Sequence, residues 1–305
     1  MIPQSAQRAL ATALDSAVEF DQPMSRHTSL RVGGRADAVA TPKSREELAL
    51  LLKLCSEYGI PYAVLGAGFN TLVMDGGMEG VVVRTNKLRL LEERPKSHAI
   101  LAEAGVSHAS LTRLCCERGL SGLEFAAGIP GTVGGWIAMN AGIGAREIEA
   151  SVIEIDVLEP GGGLRRMTRD ELDFQYRALR GLAEGSIIAS ALLRVSLSKR
   201  ENVQAEVDRL LAARRDTQPI HVPSCGSVFK NPVGDFAGRL IEAAGLKGER
   251  AGGAQISPIH ANFIANTGGA TAADVLTLIR RAQQAVEESC GVRLEPEVKI
   301  WGRPE

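Results

Sequence analysis

The stretch SGLEFAAGIPGTVGGWIAMNAGIG, residues 121–144, decides how the rest of the chain is read. It holds seven glycines, Gly122, Gly128, Gly131, Gly134, Gly135, Gly142 and Gly144, among residues that are mostly small or apolar. Glycine admits positive φ and lets a backbone approach another group closely. By propensity alone such a segment makes a poor helix or strand, yet it is too apolar for a solvated linker. It suits a chain wrapped around a flat, partly apolar ligand, with N–H groups turned toward anionic oxygens. A tight core loop with no ligand would use the same residues, because clustered glycine signals turns first.

The 305 residues around it are enough for two domains or one large one. At 45% hydrophobic and 23% charged, the composition is that of a globular protein. The net charge of −1, with Lys and Arg scattered among Asp and Glu, argues against a nucleic-acid partner. Aromatic residues, at 4%, are too few for base stacking. No apolar run reaches the roughly 18 residues that a membrane span needs. The start, residues 1–20, reads as an amphipathic helix and lacks the basic head and unbroken apolar core of a signal peptide. Five cysteines without CxxC spacing point to reduced thiols in a cytoplasm. His27, His98, His108 and His221 show no metal-ligand spacing, so no metal site is expected.

Working outward, Ser44 and Glu47 have capping-box spacing. They open a helix with Leu48, Leu51, Leu52 and Cys55 on one face, ended by Gly59 and Pro61. A strand at 62–65 leads into Gly66-Ala67-Gly68-Phe69-Asn70-Thr71. A strand followed by Gly-x-Gly invites a Rossmann reading. The third glycine is missing, however, and residues 71–85 (TLVMDGGMEGVVVRT) give a turn and a strand where a helix is required. The Rossmann reading is therefore rejected, although the loop can still cradle phosphate through backbone N–H groups.

Strands are expected at 80–85, 99–104, 152–158, 164–167 and 185–197, with a helix at 107–118 closed by Gly119. Thr168 and Glu171 form a second capping box. The order is mixed α+β, not a strict βαβ alternation. A charged helix at 199–215, with Val207, Leu210 and Leu211 inward, reads as a connector. The expected organisation is an N-terminal helical segment (1–30), a ligand-binding domain (31–197) and a smaller α+β domain (198–305). In the last of these, helices are expected at 235–244 and 271–288. Short strands are expected near Gln255, at 262–266 and at 294–301.

Seven motifs occur in an order that carries a resemblance: LRVGG (30–34), GAGFNTLV (66–73), GIPGTVGGWIAMNAG (128–142), Tyr176-Arg177, PSCGSVFKNP (223–232), HANFIAN (260–266) and LEPEV (294–298). Together, from about residue 20 to the end, the chain resembles the UDP-N-acetylenolpyruvoylglucosamine reductases. The resemblance implies an FAD-binding domain of the vanillyl-alcohol-oxidase (PCMH) type in two subdomains, followed by an α+β substrate domain. It implies that NADPH reduces FAD, and that hydride then passes to an enolpyruvyl double bond of a UDP-sugar in peptidoglycan precursor synthesis. His27, Leu179 and Ile259 stand where the family often has Asn, Ser and Lys. The short span from Arg177 to Ile187 resembles the branch without a Tyr-bearing insertion.

For FAD, held noncovalently since no covalent-flavin motif is seen, the implied contacts fall in two groups. One is Gly66, Ala67, Gly68, Phe69, Asn70 and Thr71. The other is Gly128, Ile129, Pro130, Gly131, Gly134, Gly135, Asn140, Gly142 and Ile188. Implied substrate contacts are Lys230, Asn231 and His260, and the implied catalytic residues are Arg177, Ser227 and Glu297. Hydride addition beside a carboxylate leaves an enolate that must be stabilised and then protonated. A planar, permanently charged guanidinium such as that of Arg177 suits spreading carboxylate charge. The Ser227 hydroxyl can protonate carbon if its alkoxide is relieved, for which Lys230 and nearby N–H groups are candidates. Glu297 could act as a neutral donor or orient Arg177. Strand alternation would put Glu295 on the same face, and only the resemblance selects Glu297. Cys225 has no accompanying base and reads as structural. A flavin oxidase and a flavin-binding protein without catalysis are the competing readings. No obligate protein partner is evident.

Overall fold

The structure, a computed structural model, describes residues 1–144 and 146–305. The chain forms two compact units, each assembled from separated segments. The first comprises Met1–Phe20, Asp37–Ala67 and Glu79–Ala212, and the second Asp21–Ala36, Gly68–Met78 and Ala213–Glu305. Contiguous segments 1–30, 31–197 and 198–305 are therefore not the compact units. Two pieces from the first quarter of the chain belong with its last third. Local patterning cannot reveal this, because membership of a unit is decided by pairing over long sequence separation.

In the first unit one sheet runs in the order Val18–Pro23, Arg35–Ala40, Met78–Arg84, Tyr62–Leu65. Its last two strands are parallel, with Tyr62 opposite Val81 and Leu65 opposite Arg84. Helices Gln4–Leu14 and Arg45–Glu57 contribute Leu10, Leu14, Leu48, Leu51, Leu52 and Cys55 to its core. The N-terminal helix is shorter than expected. It stops at Leu14, and after one turn the chain continues as the strand Val18–Pro23. Ser44 accepts from the Glu47 N–H, as a cap should, while Glu47 reaches back to the N–H of Lys43 instead of Ser44.

The second sheet of this unit is antiparallel, ordered Leu164–Thr168, Val152–Leu158, Ile187–Arg194, Ala99–Glu103, Leu91–Arg94. Helix His108–Arg118 starts on the Ser107 side chain and ends at Gly119, whose φ of 65° suits a left-handed stop. The glycine-rich stretch holds a short helix after all, Val133–Ala138, packed so closely that a Cβ on Gly134 would lie 2.7 Å from Ala104 Cβ. Tertiary packing has overridden propensity there. Helix Arg200–Thr217 buries Val203 and Val207 and leaves Leu211 exposed, which shifts its inner face one turn toward the N-terminus from the expected one.

The second unit centres on a sheet ordered Ser224–Ser227, Phe263–Asn266, Ala254–Ile256, Arg250–Ala251. Helix Ala272–Cys290 buries Ala272, Val275, Leu278, Ile279, Ala282 and Val286, the predicted 3.6-residue stripe. Its first turn is satisfied twice over. Thr271 and Asp274 form a capping box, and the Asp75 carboxylate accepts from the Ala272 and Ala273 N–H groups, each at 2.9 Å. The expected strand 294–301 is reduced to Lys299–Trp301, which pairs in parallel with Thr71–Val73. Among the described residues no helix is long and apolar enough to cross a membrane.

A buried carboxylate ties the antiparallel sheet to the helix Arg45–Glu57. Asp156 is 5% exposed and accepts from Arg45 Nη1 at 2.9 Å, Arg166 Nε at 2.8 Å and Ser190 Oγ at 3.2 Å. Burial opposes its ionisation, but the hydrogen bonds from Arg166 and Arg45 win and hold the carboxyl below the usual carboxylate range. A depressed carboxylate stabilises the fold above its unfolded pKa of about 3.9, and that stability fades as pH falls through the lower folded value. Asp156→Ala should cost about 3 kcal/mol of unfolding free energy at neutral pH. In urea melts the gap between variant and parent should narrow as pH is taken below about 3.9. A gap that stayed constant would mean that Asp156 is not charged in the fold.

Candidate active site

In the second unit, residues 227–230 lie antiparallel beside residues 295–298. The Glu297 N–H donates to the Val228 carbonyl at 2.7 Å, Phe229 bridges Pro296, and the Lys230 N–H donates to the Glu295 carbonyl at 2.9 Å. This ladder sets the half-buried side chains of Ser227 and Glu297 on neighbouring strands of backbone. Asn70 fixes the same segment from the other side. Its carbonyl accepts from the Lys299 N–H at 3.0 Å and its Nδ2 donates to the Glu297 carbonyl at 3.1 Å. Ser29 completes the junction by donating from Oγ to the carbonyls of Gly68 at 3.0 Å and Ser224 at 2.7 Å. Gly68 has φ of 74°, and a Cβ there would lie 2.4 Å from the His27 carbonyl, so the loop passes at glycine-only distance.

The two glutamates are now distinguishable. Glu295 is exposed and its carboxylate pairs with the Lys230 ammonium. The Lys230 charge is thus directed to Glu295. Glu297 is half-buried, and both glutamates precede the terminal strand Lys299–Trp301. Burial, with the Glu297 charge adding to it, pushes the Cys225 thiol up to about 12, which disfavours the reactive thiolate.

Asn231 and His260 lie together at a different place. Asn231 Oδ1 accepts from the Ala237 N–H at 3.1 Å at the start of helix Ala237–Ala243. The His260 ring lies against Gly238 of the same helix and edge-on to Phe263 at 4.9 Å. Burial, then the Lys247 charge, lowers the His260 pKa. The neutral ring accepts from the Asn262 N–H at Nδ1, 3.2 Å away, which leaves the proton and a donor at Nε2.

In the first unit the glycine-rich stretch shows two unsatisfied donors. Thr132 and Trp136 are 4% and 3% exposed, and among the described residues neither Thr132 Oγ1 nor Trp136 Nε1 has a hydrogen-bond partner. A Cβ on Gly66 would lie 2.7 Å from Thr132 Oγ1, and one on Gly131 would lie 3.1 Å from Trp136 Nε1. The glycines thus clear space over both groups. Not every amide expected to face a ligand is available. The Gly134 N–H donates to the Ala104 carbonyl at 2.9 Å and that of Ile129 to Ala126 at 3.1 Å. Gly134 serves close packing, and Ile188, 7% exposed, joins the core cluster that contains Trp136 and Ile137. Gly128 is buried under the Ile143 side chain, while Pro130 and Gly131 are half-buried and Gly135 is exposed. Ala67 is the last residue of its segment in this unit; Gly68, Phe69, Asn70 and Thr71 fall in the second.

Arg177 occupies the tip of a two-residue hairpin. Strands Asp173–Gln175 and Ala178–Arg180 pair with Gln175 opposite Ala178, and Arg177 takes φ of 56°. A left-handed non-glycine costs on the order of 1 kcal/mol, so surrounding contacts must hold it. Its Nη1 donates to Glu147 Oε1 and its Nη2 to the Gly142 carbonyl, both at 3.3 Å, and the guanidinium lies 4.7 Å from the Tyr176 ring centre. Asn140 is 1% exposed, also left-handed at 41°, and donates to Glu147 Oε2 at 2.9 Å and the Gln175 carbonyl at 3.2 Å. The side-chain amide of Asn140 therefore braces the Arg177 hairpin, and the Gly142 carbonyl is occupied by Arg177 itself.

Residues 36–168 match the model of an FAD-binding domain. Residues 218–301 match that of the UDP-N-acetylenolpyruvoylglucosamine reductase C-terminal domain. A reductase of that name from Geobacter metallireducens is 47% identical over 96% of this chain and 97% of its own. One from Moorella thermoacetica is 44% identical over 96% of each. The chain belongs to the UDP-N-acetylenolpyruvoylglucosamine reductase family. The crystal structure of the family's enzyme from Thermus caldophilus superposes with a TM-score of 0.81 at 36% identity, covering 93% of this chain and 99% of that one. Phl p 4.0202, a glucose dehydrogenase, shares the fold alone, at 14% identity and a TM-score of 0.51 over 65% of this chain and 45% of its own. The fold is α+β with an FAD-binding domain of the vanillyl-alcohol-oxidase type.

The residues present fit that cofactor. Thr132 and Trp136 offer buried donors that no protein acceptor meets, and the Gly66 and Gly131 backbones leave room above them for anionic oxygens of a diphosphate. Neither residue was singled out in the sequence, although a threonine and a tryptophan inside so apolar a stretch were the available signal. Among the described residues no cluster of His, Cys, Asp or Glu could hold a metal ion. Gly66→Ala would place a methyl against Thr132 Oγ1. Its apoprotein should melt close to the parent, while FAD affinity, read by equilibrium titration, falls at least about tenfold. Unchanged affinity would remove Thr132 from the cofactor cradle.

Proposed function

We infer that this chain reduces the enolpyruvyl double bond of UDP-N-acetylglucosamine enolpyruvate with NADPH, giving UDP-N-acetylmuramate for peptidoglycan. The observation that carries this reading, in a chain of this family, is the ladder that brings the segments holding Ser227 and Glu297 together as neighbouring stretches of backbone. Bound FAD, held noncovalently, supplies the hydride relay between NADPH and the substrate carbon. Its diphosphate is assigned to the backbone of Gly66–Thr71 and Gly128–Gly135 with the donors of Thr132 and Trp136. The enzyme is placed in the cytoplasm.

Hydride arrival at one enolpyruvyl carbon leaves negative charge on the adjacent carbon and its carboxylate. Arg177, a planar fork of charged donors, is assigned to that carboxylate. The Ser227 O–H is assigned as the donor that protonates the carbanion, breaking its O–H bond as the C–H bond forms. Relief of the resulting alkoxide falls to nearby backbone N–H groups, while the Lys230 ammonium pairs with the exposed Glu295. Glu297 acts on the same anion as a proton donor or by orienting charge. His260 presents its Nε2–H to a substrate oxygen, and Asn231 and Lys230 border the same substrate region through the helix start and ion pair described above.

Ser227→Ala should leave flavin reduction by NADPH nearly intact and cripple reoxidation by substrate, because only the second half-reaction needs a proton donor. Stopped-flow traces in which both halves slow equally would assign Ser227 to positioning the cofactor instead. Glu297→Gln should slow single-turnover reoxidation by roughly 10²–10³, with Glu297→Ala slower still and FAD occupancy unchanged. Glu295→Gln should be mild, since it loses only an exposed ion pair worth about 0–1 kcal/mol. A greater loss for Glu295→Gln than for Glu297→Gln would reverse the assignment.

A further inference from the structure

We propose that Glu147 is the positioning residue of Arg177, and that Asn140 fixes Glu147 in that role. The inference rests on the assignment of Arg177 to the substrate carboxylate. A long cationic side chain on a two-residue hairpin tip would ordinarily sample many rotamers in solvent. Here the Arg177 side chain is only 18% exposed, and the Tyr176 ring, the Gly142 carbonyl and Glu147 Oε1 are among the contacts that define its course.

Only one of those contacts is charged and itself fixed. Glu147 Oε2 is held by Asn140 Nδ2 at 2.9 Å, so the carboxylate cannot swing away without breaking a bond inside the core. Asn140 is anchored in turn, accepting from the Glu149 N–H at 3.3 Å and donating to the Gln175 carbonyl at 3.2 Å. Gln175 is the residue before the hairpin tip. The amide of Asn140 therefore fixes both the carboxylate that aims the guanidinium and the strand from which Arg177 projects. Glu147 lies on the strand Arg146–Glu147, paired with Gly142–Ile143, so Gly142 opposes Glu147 while its carbonyl takes the second guanidinium nitrogen. The acceptors at Glu147 and Gly142 are thus set by one pair of residues. Each takes a different Nη nitrogen of the planar guanidinium, an arrangement that an ammonium could not use.

Glu147 touches neither cofactor nor substrate in this scheme and acts only through Arg177. Glu147→Gln keeps the shape and one hydrogen bond but removes the charge that holds the guanidinium. It should slow substrate-driven reoxidation of the NADPH-reduced holoenzyme about 10–100-fold, with flavin reduction by NADPH within about twofold of the parent. In an Arg177→Lys background, Glu147→Gln should add less than about a further twofold, because the group it positions is already gone. Glu147→Asp keeps the charge but withdraws it by one methylene. It should also slow reoxidation without lowering the melting temperature, which separates aim from folding. If Arg177→Lys alone leaves reoxidation unchanged, the assignment of Arg177 fails. If Arg177→Lys is slow but Glu147→Gln is not, or if their losses multiply in the double variant, the positioning role of Glu147 is overturned.

Discussion

The second unit depends on Asn70 joining the early chain to its end. Its carbonyl and side-chain amide take hold of Lys299 and Glu297, more than two hundred residues away in sequence. Next to it, Thr71–Val73 pairs with Lys299–Trp301, and the Asp75 carboxylate seats the first turn of helix Ala272–Cys290. Each bond alone is worth about 1 kcal/mol, or somewhat more where a carboxylate accepts. Together they recruit residues 68–78 into a core that otherwise belongs to the last third of the chain. The segment that holds Glu297 is thus held in place in part by an early loop.

The first unit shows the complementary situation, in which polar groups are left waiting. Buried donors without acceptors are rare because each costs about 1–3 kcal/mol in desolvation. Thr132 and Trp136 carry that cost beside glycines that clear the space above them. Left-handed Asn140, four residues after Trp136, and Arg177, whose hairpin it braces, add backbone strain. Strain and unmet donors are concentrated in this region, whereas Asp156 and its arginines show how the same unit satisfies a buried charge within the protein.

Much of this was legible locally. The helix stripe from Ala272 to Val286, the Gly119 stop, the strand Tyr62–Leu65 and the absence of a helix after it all follow from period and turn chemistry. The glycine-rich stretch announced a cradle, and its composition misled only about the short helix that tertiary contacts impose. What stayed illegible depends on distant partners. No pattern near Glu147 relates it to Arg177, thirty residues on, and nothing around Asn70 announces Glu297. The assembly of each unit from separated segments belongs to the same class of fact. The roles of Ser227 and Glu297 came from resemblance to a family and not from their neighbours in sequence.

The contrast between Cys225 and Ser227 shows why geometry had to settle what residue type could not. In a regular strand, positions two apart share a face, so both side chains would enter the core or both would leave it. The strand Ser224–Ser227 is not regular. Ser224 opposes Ala265 and Ser227 opposes Phe263, three steps against two, so one extra residue is inserted. Gly226 absorbs it at φ of 80°, a conformation in which a side chain would be strained. The insertion breaks the alternation. Cys225 stays fully buried with its thiol pushed up to about 12, while Ser227 emerges half-buried next to the Glu297 backbone. Burial and a neighbouring negative charge make the thiol a poor nucleophile at neutral pH. A bulge at one glycine thus places a weak acid at the surface of the ladder and keeps the more reactive sulfur out of reach.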